Sequence, residues 1–190
     1  MTGIYFVTRV ITFFGTMLRV FFEHLTCRIF RIAAEDIRPF KSGELCGHVE
    51  HELLTDRKKV FNMCFIPFTF CFVIGCALLL SGSYGVLYIG NLGTLRNWLF
   101  LYAGISCLAN CAPSFENALS LKDAFFNKKT SVIKKILVAP FFAVYYVSAF
   151  LERYSITFIL AIAFAFIFPY IFNLTFPAII TLNQMLSGEI

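Results

Sequence analysis

The sequence predicts an all-α fold, a polytopic membrane helical bundle of about five spans with a small polar loop or hairpin after the first. Three observations predict it. The chain is 59% hydrophobic and only 14% charged, with 25 Phe among 190 residues, whereas about a quarter of a soluble domain is charged. Several apolar runs reach the ~20 residues that a helix needs to cross a bilayer. Lys and Arg crowd into alternate connections, the asymmetry that orients membrane helices. The chain therefore reads as a single transmembrane domain, 1–190, with no length left for a soluble one.

The first span covers residues 4–22, and its helix is expected to run on to 32. Arg9 and Arg19 interrupt it; Arg9 lies within snorkelling reach of the outer interface. Residues 33–59 are polar, with Glu35, Asp36, Glu44, Glu50, Glu52, Asp56, Pro39, Gly43 and Gly47. The stretch Leu45-Cys46-Gly47-His48-Val49-Glu50-His51-Glu52-Leu53 fits a short hairpin or re-entrant loop. Residues 60–81 form the second span, in which Pro67 and Gly75 favour a kink. Residues 97–111 form a short third span that breaks before Pro113. Residues 132–151 and 155–173 form the fourth and fifth spans. Only Glu152-Arg153-Tyr154 separates these two, which predicts an antiparallel helical hairpin. Pro169 and Pro177 distort or end the last helix.

The connection after the first span holds Arg28, Arg31, Arg38, Lys41, Arg57, Lys58 and Lys59, and the one after the third holds Lys122, Lys128, Lys129, Lys134 and Lys135. The other two connections have one Arg each. Positive-inside orientation then places the protein in the cell membrane, multi-pass, with the N-terminus outside and the C-terminus cytoplasmic. The net charge of +5 follows from these loops and gives no sign of nucleic-acid binding. The first residues lack a basic n-region and a small-residue cleavage site, so no removable signal peptide is expected.

Chemistry concentrates on 12–32. Arg19 and Glu23 are four apart on one helical face, Cys27 continues it and His24 lies beside it. Ionisable groups at membrane depth are costly and usually face a bundle interior with a partner. His24, Cys27, His48 and His51 are candidate zinc ligands, because zinc takes His, Cys and carboxylates in sets of four. The loose His48-Val49-Glu50-His51 spacing is equally that of a solvated acidic loop. Ser114 and Asn117 both suit a helix cap. Cys64, Cys71, Cys76, Cys107 and Cys111 lie in apolar runs as small packing groups, and Cys46 is expected to be a free thiol on the reducing side. Asn173-Leu174-Thr175 matches a glycosylation sequon but falls at the inner end of the predicted fifth span. No phosphate-cradling Gly-rich loop and no Ser or Cys nucleophile at recognisable spacing from a His is present.

Four stretches, Phe14-Gly15-Thr16-Met17-Leu18, Cys27-Arg28, Gly47-His48-Val49-Glu50-His51 and Pro113-Ser114-Phe115-Glu116-Asn117-Ala118, follow one another in an order that resembles small bacterial intramembrane metalloproteases of the site-2 protease kind. That family carries His-Glu-x-x-His on a first core helix, then a polar hairpin, then an Asp ligand beside a Pro-rich break. The resemblance covers residues 13–123, so 1–123 would be the protease-like core and 124–190 a C-terminal helical hairpin. Aligned on Cys27-Arg28, the two His ligands fall on Arg19 and Glu23, the catalytic Glu on Val20 and the Asp ligand on Asn117. The resemblance thus implies a degenerate member without a catalytic residue, since Val20 cannot take a proton from a zinc-bound water.

The expected function is a catalytically inactive scaffold that binds a membrane protein partner or substrate helix, with no cofactor. The alternatives are a zinc metalloprotease with a rebuilt metal site, and a small carrier or channel subunit whose Arg19/Glu23 face lines a pathway. In the first reading Arg19 takes over the electrostatic role of the zinc, donating to Glu23 and to the Asn117 carbonyl.

Overall fold

A computed structural model describes residues 2–38, 47–52, 54, 56–126 and 131–175; Cys46 and Pro177 lie outside them. The described chain is mostly helical: α1 (Thr2–Ile11), α2 (Phe13–Ile29), α3 (Arg57–Ser83), α4 (Leu95–Ala109), α5 (Phe115–Phe125), α6 (Val132–Arg153) and α7 (Ile156–Thr175). Two short strands, β1 (Ala34–Arg38) and β2 (His48–His51), pair antiparallel with Ile37 opposite Val49 and Arg38 opposite His48. This is the hairpin anticipated after the first span. Three helices are long and apolar enough to cross a membrane: α3 with its π-turn extension through Tyr88, the Lys135–Arg153 portion of α6, and α7.

The axis of the bundle is α3, in which Pro67 is accommodated without a break. Its second half packs tightly on α4, because glycines let the two backbones approach. A Cβ at Gly82 would collide with the backbone of Leu101, and one at Gly104 with the backbone of Leu79. The pairs Gly82–Leu101, Leu79–Gly104 and Gly75–Leu108 make α4 antiparallel to α3. Beyond a break at 110–114, α5 continues the same way: Cys64 Sγ faces the Asn117 carbonyl and Phe61 meets Phe125. Ser114 caps α5, its Oγ accepting from the Asn117 amide at 3.1 Å, so Asn117 sits inside the first turn and is not itself the cap.

Two expectations fail. The helix expected to run unbroken from 4 to 32 bends by 93° between α1 and α2. Thr12 is the corner, with non-helical φ −99° and ψ 41°, and its carbonyl accepts from Ser106 Oγ at 2.8 Å as well as from the Thr16 amide. Those polar partners on α4 satisfy backbone that water would otherwise have to reach. The second failure is the C-terminal hairpin. Instead of lying against each other, α6 packs on α5 (Phe142 on Phe126, Tyr146 on Phe115), and α7 packs on α4, where Thr157 Oγ1 donates to the Ala109 carbonyl. At the far end Tyr170 and Asn173 meet Tyr88. The two helices therefore run in series, parallel to α3.

Lengths agree with this. At 1.5 Å per residue, Phe61 to Tyr88 spans ~40 Å, and Phe141 to Asn173, taken as two helices in line, ~44 Å. Ser155, at φ 59°, makes the joint. Left-handed backbone is uncommon for a residue with a Cβ, and here it redirects the chain after a single turn.

Candidate functional site

Three helix breaks, at Thr12, at 110–114 and at Tyr154–Ser155, meet at one level of the bundle, and the buried charges meet there too. From α2, Thr16, Arg19, Glu23 and Thr26 point inward at the helical spacing of three to four residues. Arg19 and Glu23 are each 1% exposed. Arg19 Nε donates to Glu23 Oε1 at 3.2 Å. Its Nη1 and Nη2 donate to the two oxygens of Glu152 at 2.5 and 3.4 Å, a forked geometry that suits a guanidinium and a carboxylate.

Glu152 closes the last turn of α6, so it arrives from the stretch that the sequence reading took as the connection between the fourth and fifth spans. It also forms an ion pair with Arg9. Arg9 is buried, not snorkelled to an interface. Its Nη1 donates to Asn110 Oδ1 and its Nη2 to the Tyr5 hydroxyl, and its guanidinium carbon stands 4.7 Å over the Tyr5 ring. Asn110 in turn donates to Thr12 Oγ1 at 2.8 Å and to the Ser106 carbonyl at 2.7 Å, and Thr16 Oγ1 donates to its Oδ1 at 3.0 Å. The α1–α2 corner and the α4–α5 break are thus locked by the same amide.

The hairpin supplies the remaining partners. Glu23 accepts from the Val49 amide at 2.8 Å, and His48 Nδ1 lies 2.9 Å from its other oxygen. Burial, reinforced by the nearby Arg19 charge, pushes His48 down to about 4, despite the attraction of Glu23. A His48 that donates from Nδ1 is therefore uncharged at neutral pH, and two Arg balance two Glu. The second hairpin histidine reaches α5: His51 Nε2 lies 3.0 Å from the Asn117 side-chain amide and Nδ1 2.8 Å from the Glu52 carbonyl. The contacting atom of Asn117 is Oδ1, which accepts where Nε2 carries the ring proton.

The predicted positions are accordingly only partly united. Arg19 and Glu23 are partners, as expected. Asn117 is engaged by His51 and does not accept from Arg19; Glu152 takes that place. Val20 is packed with Cys27, Met63 and Cys64 in an apolar cluster. Cys27 Sγ faces Met63 Sδ at 3.9 Å, and His24 Nδ1 is buried without a partner. Among the described residues no three His, Cys, Asp or Glu side chains are grouped to hold a metal ion. Each carboxylate of the cluster is fork-bonded or bridged by protein donors.

Arg9, Asn110 and Glu152 are what sequence reasoning missed. The signal for Glu152 was present: an acid between two long apolar stretches, with buried-span arginines elsewhere needing a counter-charge. No protein-family model, curated protein or solved structure matches this chain.

Proposed function

We propose that this is a non-catalytic multi-pass membrane protein on a site-2-protease-like scaffold, acting by binding a membrane partner, the helix of another membrane protein. One observation carries the reading. Where the resemblance assigns metal ligands and base, Arg19 and Glu23 are bound into an ion network with Glu152, Arg9 and His48, while Val20 is apolar. A guanidinium at a ligand position supplies the positive charge that a metal would bring, and it repels a cation. Zinc analysis of the purified protein tests this: the expected outcome is far less than one zinc per chain. Stoichiometric zinc lost on His48→Ala or His51→Ala would overturn it. For the partner, a photo-crosslinker at Phe21 or Leu25, exposed on α2, should give a discrete adduct with a membrane protein in cells; adducts with lipid alone at both positions refute the binding role.

The charge rule places the Arg57–Lys59 end of α3 in the cytoplasm. With α6 and α7 in series, the packing favours four membrane segments in place of five: the bent pair α1 with α2, then α3, α4 with α5, and α6 with α7. The end of α7 then belongs to the outer side, while α1 leaves the bundle at the level of the joint, so the cytoplasmic C-terminus expected from five spans gives way to an outer position for Thr175.

A further inference from the structure

We propose that the basic end of the bundle is a docking surface for anionic phospholipid headgroups, with the first two turns of α6 inserted at the boundary between headgroups and acyl chains. Four observations converge on it.

The first is the placement of charge. Arg28 and Arg31 at the end of α2, Arg57, Lys58 and Lys59 at the start of α3, Lys122 near the end of α5 and Lys135 at the start of α6 all lie at one end. The opposite end, formed by Tyr84, Tyr88, Trp98, Tyr170 and the connector after α3, has Arg96 and is otherwise neutral and aromatic.

The second is that four of these cations oppose their own helices. Arg57, Lys58 and Lys59 open α3, Lys135 lies at the start of α6, and neither first turn holds an acid. A helix N-terminus carries about half a positive charge, and cations there are unfavourable. Asp56, the N-cap of α3, supplies one negative charge there, and an anion from outside would add to it.

The third is an overhang. Phe141 is level with Phe61, one turn into α3, and Phe142 is level with Phe126, the residue that ends α5. Residues before Phe141 therefore project past both neighbours. On that projection Val132, Ile133, Ile136 and Leu137 are 68–78% exposed, large apolar side chains beside lysine. Amphipathic segments of this composition lie in the membrane interface, and Pro140 follows directly.

The fourth is the layer beneath. Phe61, Phe65, Phe125, Phe141, Phe126 and Phe142 touch ring to ring one to two turns inside the basic rim. Cations over an apolar aromatic layer match phosphate over acyl chain. Glu116 stands in the first turn of α5, away from the basic end, Asp123 adjoins Lys122, and Glu35, Asp36, Glu50 and Glu52 belong to the hairpin side, so the excess of cations is on the α3–α5–α6 flank.

The test uses the whole protein in phosphatidylcholine vesicles with spin-labelled lipids. Labelled phosphatidylglycerol should associate with the protein several-fold more than labelled phosphatidylcholine, and the preference should fall with added salt. A basic residue near an anionic surface is worth about fivefold. Lys58→Gln/Lys122→Gln/Lys135→Gln should therefore bring the ratio close to one with the helical signal unchanged. As a folding control, Arg96→Gln at the opposite end should leave the ratio as it is. Equal association of the two lipids with the wild type, or an unchanged preference in the triple variant, overturns the proposal. So does a preference abolished by millimolar inorganic phosphate at constant ionic strength, which would mean an ordinary phosphate site.

Discussion

Glu152→Gln tests the buried network most directly. The side chain is almost inaccessible, and it meets Arg9, Arg19, the Tyr5 hydroxyl at 3.5 Å and, at 3.6 Å, His48 Nε2. Gln keeps the shape and one carbonyl acceptor but removes a negative charge from between two guanidiniums. Arg19 retains Glu23; the four-charge set is left with an excess of one. Breaking a buried pair by removing one partner costs about 3–5 kcal/mol. For a chain of this size that is roughly 6–20 °C in Tm. Thermal unfolding followed by far-UV circular dichroism in a fixed detergent measures it. The charge argument makes a sharper statement than the loss itself: Arg9→Met combined with Glu152→Gln restores neutrality and should be more stable than Glu152→Gln alone, with a coupling of at least ~1.5 kcal/mol. A single-variant cost below ~1 kcal/mol, or additive single costs, would refute the idea that charge balance holds this joint together.

Arg19→Ala should likewise cost several kcal/mol, on the order of ~3–5, and adding Glu23→Ala should soften it, because Arg9 and Glu152 then remain as a neutral pair; equilibrium unfolding of the three proteins decides. Gly15→Ala places a methyl into the Ser106 carbonyl of α4 and should destabilise by at least ~2 kcal/mol, whereas Gly3→Ala, which meets open space, should be within ~0.5 kcal/mol of wild type. His48 is held at about 4 when folded against ~6.5 when unfolded. Its contribution is therefore fully present above pH ~6.5 and disappears between there and pH ~4. The loss is on the order of 3 kcal/mol relative to His48→Gln, and parallel Tm–pH curves for the two proteins would refute it. Single cysteines at Gly90 and Leu174 should label from the same side of the membrane and one at Lys58 from the other; opposite labelling of the first two would restore the five-span topology.

Much of this fold was legible because it depends on local rules. Apolar runs gave α3, α6 and α7, the Pro113 break ended α4, and Gly47 with its strand-like neighbours marked the hairpin. Arg19 and Glu23 were visible as a pair because helical spacing alone brings them together. What was not legible was non-local. Nothing within 4–32 announces a right-angled corner, since the carbonyl of Thr12 is satisfied by Ser106 and Asn110, some ninety residues away. Glu152 and Arg153 look alike in sequence, yet one is buried and the other exposed. A short connection between two apolar runs fits a hairpin and a mid-bundle joint equally well; the choice rests on which helices the two runs pack against.

The joint also bears on whether this network could be a working reaction centre or pathway. Helix breaks inside a membrane expose backbone that transporters use to hold ions. Here those groups are already occupied. The Thr12 carbonyl takes Ser106 and Asn110, the Ile11 carbonyl takes the Tyr102 hydroxyl, the Ala109 carbonyl takes Thr157, and the Arg9 carbonyl takes Thr16. Every one of these donors is a protein side chain, and they tie α1, α2, α4 and α7 to one another. Rearrangement would have to break several buried hydrogen bonds at once, each worth about 1–3 kcal/mol when left unmade. A cluster so interlocked is suited to fixing the relative positions of broken helices.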